Sequence, residues 1–219
     1  NVPSKAFGEF IETTYKTPHV QAHDIERMKK DGEDFIILDS RPYSEYHAMN
    51  IPGGIDVPGA ELAYRIHDLA PNSKTKVVVN CAGRTRSIIG AQSLINAGIP
   101  NPIMAVENGT MGWHLAGLKL ERGQTQSFED ISPNAHSIAL ERAEAVRHRF
   151  DLKLVDEEAA LAWMHDTSRS TFYLDVRDPS EFNTAHWPGA KSAPGGQLVQ
   201  ATDEYVGVRR ARLVLIDND

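Results

Sequence analysis

One cysteine, Cys81, stands between an apolar run and two arginines in VVVNCAGRTRS, residues 77–87. A thiol that only fills space in a core gains nothing from guanidinium neighbours. A reactive thiol does, because nearby positive charge favours the nucleophilic thiolate. Four residues, Ala82, Gly83, Arg84 and Thr85, separate Cys81 from Arg86. Gly83 has backbone angles open to it that other residues avoid. A short loop entered from a strand and left through a helix can turn its N–H groups inward, and such a nest binds negative charge without a side chain. Arg84 and Arg86 add forked donors that match an oxyanion. The chemistry these residue types allow is nucleophilic attack by sulfur on an anionic substrate held by residues 82–86. The plainer alternative is a buried core thiol beside two solvated arginines.

The composition narrows the setting. With 219 residues and 41% hydrophobic content, the chain can bury one large core or two small ones. No apolar run approaches the roughly 20 residues of a membrane-spanning helix. The first ten residues, NVPSKAFGEF, lack the apolar centre of a signal peptide. An Asn at position 1 fits a processed product or a piece of a longer chain. One cysteine forms no internal disulfide and no multi-cysteine metal site. No metal or other cofactor is expected, and a reducing, cytoplasmic setting fits the single thiol. The formal charge of −7, from 23 basic and 30 acidic residues, argues against broad nucleic-acid binding. Residues 80–90 carry two positive side chains and no negative one, so a small anion can be attracted locally.

Positioning Cys81 requires a scaffold of alternating elements. HVQAHDIERMKKDG reads as a helix closed at Gly32, and DFIILD as a buried strand. YSEYHAM reads as a short helix capped by Ser44, followed by the turn IPGG. GAELAYRIHDLA aligns Leu62, Ile66 and Leu69 on a helical face. KVVVN is the next buried strand, RSIIGAQSLINAGI a helix ended by Gly98, and PIMAVE a further strand before the loop and short helix of NGTMGWHLAGLKLERG. The pattern is that of an α/β domain with a mostly parallel sheet, whose ligands sit beyond the carboxyl ends of the strands. Cys81 leaves such an end.

The chain repeats itself. FIILDSRPYSEYHAMNIPGG from Phe35 aligns without gaps on TFYLDVRDPSEFNTAHWPGA from Thr171, an offset of 171 − 35 = 136. At that offset KVVVNC meets RLVLID, so Cys81 lies opposite Asp217. Three regions are expected: a first domain at 1–122 with the cysteine, a partly helical linker at 123–150, and a partial second domain at 151–219 without one. In the linker, Ile138, Ala145 and Val146 are expected near one side of a helix. A further helix is expected near DEEAALAWMHD.

LDSRPYSEYHAMNIPGG, VVVNCAGRTRS and NGTMGWHLAGLKLERG, in that order and spacing, resemble the rhodanese, or sulfurtransferase, family. The resemblance spans most of residues 17–123, and YLDVRDPSEFNTAHWPGA extends it into a second module. It implies a rhodanese-like three-layer α/β fold with a central mostly parallel sheet, followed by an incomplete second copy. It implies that Cys81 takes sulfane sulfur from a donor such as thiosulfate and passes it, as a persulfide, to cyanide or a thiol. Ala82, Gly83, Arg84, Thr85 and Arg86 would bind the anion. Asp39 and Arg41 would brace neighbouring loops, and Trp113 would be a wall near the site or a packing anchor. The implied partners are a small anionic donor, a thiophilic acceptor and possible further rhodanese-like modules, with neither nucleic acid nor membrane. Two departures stand out: Asn50 where the family usually has histidine, and CAGRTR where many members place arginine beside the cysteine. The alternatives are a non-catalytic regulatory or protein-binding module and, behind it, a cysteine phosphatase, whose loop spans one residue more.

Overall fold

The structure, a computed structural model, describes residues 3–218; Asn1, Val2 and Asp219, at the outer ends of the expected domain ranges, lie outside the described residues. The chain order is α1 (Pro3–Tyr15), β1 (His19–Val20), α2 (Ala22–Asp31), β2 (Phe35–Asp39), α3 (Tyr43–Ala48), β3 (Gly54–Asp56), α4 (Glu61–Leu69), β4 (Lys76–Asn80), α5 (Thr85–Asn96), β5 (Ile103–Val106) and α6 (Gly109–Leu115). After these come α7 (Pro133–Arg149), α8 (Glu157–Met164), β6 (Thr171–Asp175), α9 (Pro179–Thr184), β7 (Lys191–Ser192), α10 (Gly195–Gln200), α11 (Thr202–Tyr205) and β8 (Arg212–Ile216). Among the described residues no helix is long and apolar enough to cross a membrane.

Two parallel sheets result, ordered β1-β5-β4-β2-β3 and β7-β6-β8. The continuous apolar runs of β2 and β4 follow from burial on both faces. Leu38, Val77 and Val79 face Leu62, Ile66, Ile88 and Leu94 of α4 and α5. Ile37 and Val78 face the opposite way, toward Ile25, Met28 and Trp113 of α2 and α6. This is the expected three-layer α/β arrangement, and the second sheet repeats the β3-β2-β4 part of the first.

The repeat is geometric as well as sequential. At the offset of 136, α3 maps onto α9, β4 onto β8, and β3 overlaps β7. The modules also meet in a self-complementary way. A Cβ on Gly59 would stand 3.1 Å from the Cα of Gly196, and one on Gly195 would stand 3.2 Å from the Cβ of Ala60. Residue 59 of one copy thus faces the equivalent of 60 in the other, and the reverse, as in a two-fold interface. α10 further packs against α5 and α1.

Several local expectations are corrected. The helix expected from His19 begins at Ala22, because His19 and Val20 pair with β5 as an edge strand. Ser44 does not cap α3; Pro42 occupies the cap position and no side chain bonds there. In α7 the inward residues are Ala135 and Ala139, with Val146 and Ile138 partly covered, while Ala145 faces solvent. The helix α8 forms as expected, with Asp156 accepting from the Ala159 N–H at 2.8 Å.

The loop after β4 is gripped by the start of α6. The Thr110 N–H donates to the Cys81 carbonyl at 2.8 Å, and the Met111 N–H donates to that of Ala82 at 3.1 Å. Gly109 makes the approach possible. Its φ is +53°, and a Cβ there would lie 2.1 Å from the Cys81 carbonyl oxygen. Gly83, by contrast, does not adopt a positive φ, and a Cβ there meets nothing within 4 Å. The glycine that the loop's geometry demands is therefore Gly109, not Gly83.

Asp56 ends β3 with 2% exposure, and its Oδ1 has no hydrogen-bond partner among the described residues. Burial, reinforced by the Asp39 charge, pushes its carboxyl up to about 7. The group is neutral below that value and charged above it, whereas in the unfolded chain it is charged above about 4. Its contribution to stability is full below about pH 4 and is lost as pH rises through 7. Asp56→Asn should therefore match the parent's Tm near pH 4 and exceed it by about 5 °C at pH 8.5, read by calorimetry at both values. Gly109→Ala should cost about 2 kcal/mol or more from strain and overlap. Gly53→Ala, at φ +78° with open space around it, should cost only about 1 kcal/mol. Urea midpoints of the two variants check the contrast.

Candidate active site

Cys81 follows β4, the middle strand of the five, at its carboxyl end. Residues 82–84 turn and α5 starts at Thr85. With the carbonyls of Cys81 and Ala82 tied outward to α6, the peptide groups of the turn are left with their N–H ends to offer. Among the described residues, the N–H groups of Ala82, Gly83, Arg84, Thr85, Arg86 and Ser87 donate to no other protein group. The first-turn N–H groups of any helix lack intrahelical partners, and here Arg84 at the cap position supplies no side-chain acceptor. Six adjacent donors beside a sulfur, at a helix N-terminus, suit an anion.

The thiol itself is buried. Cys81 is 1% exposed, and loop residues 82–86 are half-buried. Cavities of about 450 and 470 Å³ lie between the two modules, sharing Ala60, Glu61, Val176 and Arg177, and Cys81 lines neither. Contacts from α1, α3 and α6 all reach its loop.

The arginines are also not free. Arg86 donates through both terminal nitrogens to Glu45, at 2.7 and 2.8 Å. Burial works against the Arg86 charge, but Glu45 outweighs it and, with smaller help from Cys81 and Asp39, holds the guanidinium above its ordinary value. Burial likewise pushes the Glu45 carboxyl up, and Arg86 overrides it to leave the carboxyl below the usual range. Arg84 pairs through one terminal nitrogen with Glu12 of α1. The Thr85 hydroxyl donates to the Ser4 carbonyl at 3.3 Å, and Gly8 brings the α1 backbone against Thr85, with a would-be Cβ 3.1 Å away.

Asp39 and Arg41 form a buried brace. Arg41 donates from Nε to Asp39 Oδ1 and from a terminal nitrogen to Oδ2, each at 2.8 Å, and reaches the Met49 carbonyl at 2.6 Å. Asn80, just before the cysteine, donates to the same Asp39 carboxylate at 2.8 Å. The second copy repeats the brace through Arg177, Asp175 and the Ala185 carbonyl. Trp113 is a packing anchor: it is 1% exposed, donates to the Lys119 carbonyl at 2.9 Å and lies under Lys29.

Sequence reading missed Glu12, Glu45, Gly109 and Thr110. Glu45 carried a signal. Its repeat partner Glu181 accepts from the Asp178 N–H in a capping box. Pro42 replaces Asp178 in the first copy and has no N–H, so Glu45 is released to hold Arg86. Glu12 carried none, because the helix that presents it lies outside the repeat.

A family profile described as the Rhodanese-like domain matches residues 21–116. The crystal structure of a thiosulfate sulfurtransferase from Pseudomonas aeruginosa superposes on the whole chain with a TM-score of 0.96 and 52% identity, the chain spanning 42% of that protein. An HTH-type transcriptional regulator of Mycobacterium tuberculosis is 31% identical over 100 residues, covering 46% of this chain and 43% of the regulator. The chain thus spans less than half the length of either relative. A braced Asp-x-Arg loop, a cysteine at the end of the middle strand and the matching profile converge on residues 21–116 as a rhodanese-like domain, and a second, smaller module repeats part of its fold.

Proposed function

We propose that the chain is a sulfurtransferase acting through a persulfide on Cys81. The observation that carries the reading is the row of unpartnered amides from Ala82 to Ser87 beside the sulfur. It is supported by the 52% identity to the thiosulfate sulfurtransferase from Pseudomonas aeruginosa. In the first step the Cys81 thiolate attacks the outer sulfur of thiosulfate. The S–S bond of the donor breaks, and sulfite leaves with its electron pair. Cys81 then carries a persulfide whose terminal sulfur is anionic, and the amides of residues 82–86 donate to it. In the second step cyanide attacks that terminal sulfur, thiocyanate departs, and the thiolate returns. A thiol acceptor would take the same sulfur as its own persulfide.

Arg84 is the guanidinium placed to meet the donor's oxyanion end, since 40% of its side chain is exposed. Arg86 acts from behind, fixing α3 to the loop and adding positive charge near the sulfur. Asp39 and Arg41 hold the strand end in place and transfer no proton. The second module, with Asp217 at the position equivalent to Cys81, has no sulfur to carry and serves as scaffold. On this reading the catalytic domain is 1–122, the linker 123–150 and the partial copy 151–219. The natural partners would be a small anionic sulfur donor and a thiol, in the cytoplasm.

A second reading is favoured by one observation, the 1% exposure of Cys81. In it the domain is a non-catalytic module that presents a surface to a partner. A phosphatase is disfavoured, because Arg86 is drawn to Glu45 and the loop is one residue short for phosphate.

Two outcomes are expected. Intact mass after incubation with thiosulfate should rise by the mass of one sulfur, and fall back on addition of cyanide; Cys81→Ala should show neither change. Persistent parent mass in both proteins would favour the module reading. Arg84→Ala should raise the KM for thiosulfate by about tenfold with a smaller change in kcat, measured by thiocyanate formation.

A further inference from the structure

We propose that Glu12 on α1 is a displaceable counter-ion for Arg84, so that this N-terminal helix sets how readily the Cys81 loop receives an anion. The inference deepens the proposed function and rests on its reading of residues 82–86 as an anion cradle.

The two loop arginines are held differently. Arg86 is committed: two of its nitrogens meet both oxygens of Glu45, and only 11% of its side chain is exposed. Arg84 is held by one contact, from one terminal nitrogen to one oxygen of Glu12. Its Nε is buried and has no partner among the described residues, so the guanidinium is under-satisfied. A forked guanidinium bonds best when both edge donors meet a single anion. An oxyanion with several oxygens can serve both donors of Arg84, which Glu12 does not. Such an anion can replace Glu12, and the exchange is cheap because partly exposed ion pairs are weak.

Glu12 has somewhere to go and something to release. Its other oxygen lies 3.8 Å from His19 Nδ1, which is half exposed. The helix that carries it touches the loop at two further points, through Ser4 and Gly8 on Thr85. Losing the Arg84 contact removes the charged part of the grip by which α1 covers the loop. Cys81, 1% exposed, precedes the Thr85 contact by four residues in the same loop. Anion arrival and opening of the loop are therefore coupled: the incoming anion takes Arg84 from Glu12, and α1 loses hold. Glu12 is a positioning residue, acting on the sulfur only through Arg84.

The test uses the fact that Cys81 is the sole cysteine. Alkylation followed by intact mass reads its reactivity alone, whether or not the protein transfers sulfur. Iodoacetate, an anion, and iodoacetamide, neutral and of similar shape, are compared as the ratio of their rate constants. In Glu12→Gln this ratio should rise roughly threefold over the parent. In Arg84→Ala it should fall, and adding Glu12→Gln to Arg84→Ala should change nothing further. Glu12→Asp, which keeps the charge but draws it back by one methylene, should lie between parent and Glu12→Gln. An unchanged ratio in Glu12→Gln, or an equal rise without Arg84, would overturn the proposal. A Cys81 that reacts with neither reagent in Glu12→Gln would overturn it too, since releasing the contact would not have opened the loop. If the ratios shift as expected while thiosulfate adds no sulfur to the parent, the sulfurtransferase reading fails and the role of Glu12 stands.

Discussion

Everything at the Cys81 loop follows from where two carbonyl oxygens point. The first turn of α6 takes the carbonyls of Cys81 and Ala82 as acceptors, at 2.8 and 3.1 Å. A peptide group whose oxygen is turned one way presents its N–H the other way. Holding these oxygens against Thr110 and Met111 turns the N–H groups of Ala82 and Gly83 the other way, where they join the unpaired first-turn donors of α5. Gly109 is the residue that lets α6 come this close, because any side chain there would overlap the Cys81 carbonyl. An unsatisfied buried donor is costly, so a native fold keeps several together only where something else completes them. An anionic sulfur is such a completion.

The charges around the loop are balanced before any substrate arrives. Arg86 is neutralised by Glu45 of α3 and Arg84 by Glu12 of α1. The pair with Glu45 is bidentate, and it binds two elements, α3 and α5, together across the sheet end. The pair with Glu12 is a single contact from a helix that lies outside the repeated part of the chain. A loop with two bare guanidiniums would capture any anion in solution. One with both charges firmly paired would capture none. The asymmetry between Glu45 and Glu12 leaves one firm charge and one that can be exchanged.

Much of this was legible in the sequence, and the reasons are specific. The buried strands at 35–39 and 76–80 are continuous apolar runs because helices cover both faces of the sheet, so both were readable. The repeat placed Asp39 and Arg41 opposite Asp175 and Arg177, and the same brace exists in both copies. Edge strands of two and three residues, β1 and β3, were not readable, because so short a segment has no periodicity. The identity of the required glycine was misplaced: Gly83 sits in the loop, but the contact that demands a missing Cβ comes from Gly109, 26 positions on by subtraction of the two numbers. Spacing along the chain carries no record of such an approach. The closure of the thiol and the role of α1 were illegible for a related reason, since both depend on how a separate helix packs across α5.

The amide cradle can be observed directly in solution. In ¹⁵N-labelled protein, backbone amide resonances are compared before and after thiosulfate treatment, with intact mass recording the state of Cys81. The account predicts that the amides of Ala82 to Arg86 shift downfield together when sulfur is loaded and return when cyanide removes it, while Asp39 and Arg41 stay in place. Loaded sulfur with those five amides unmoved would contradict it, because the charge on the persulfide would then be held by some other part of the protein.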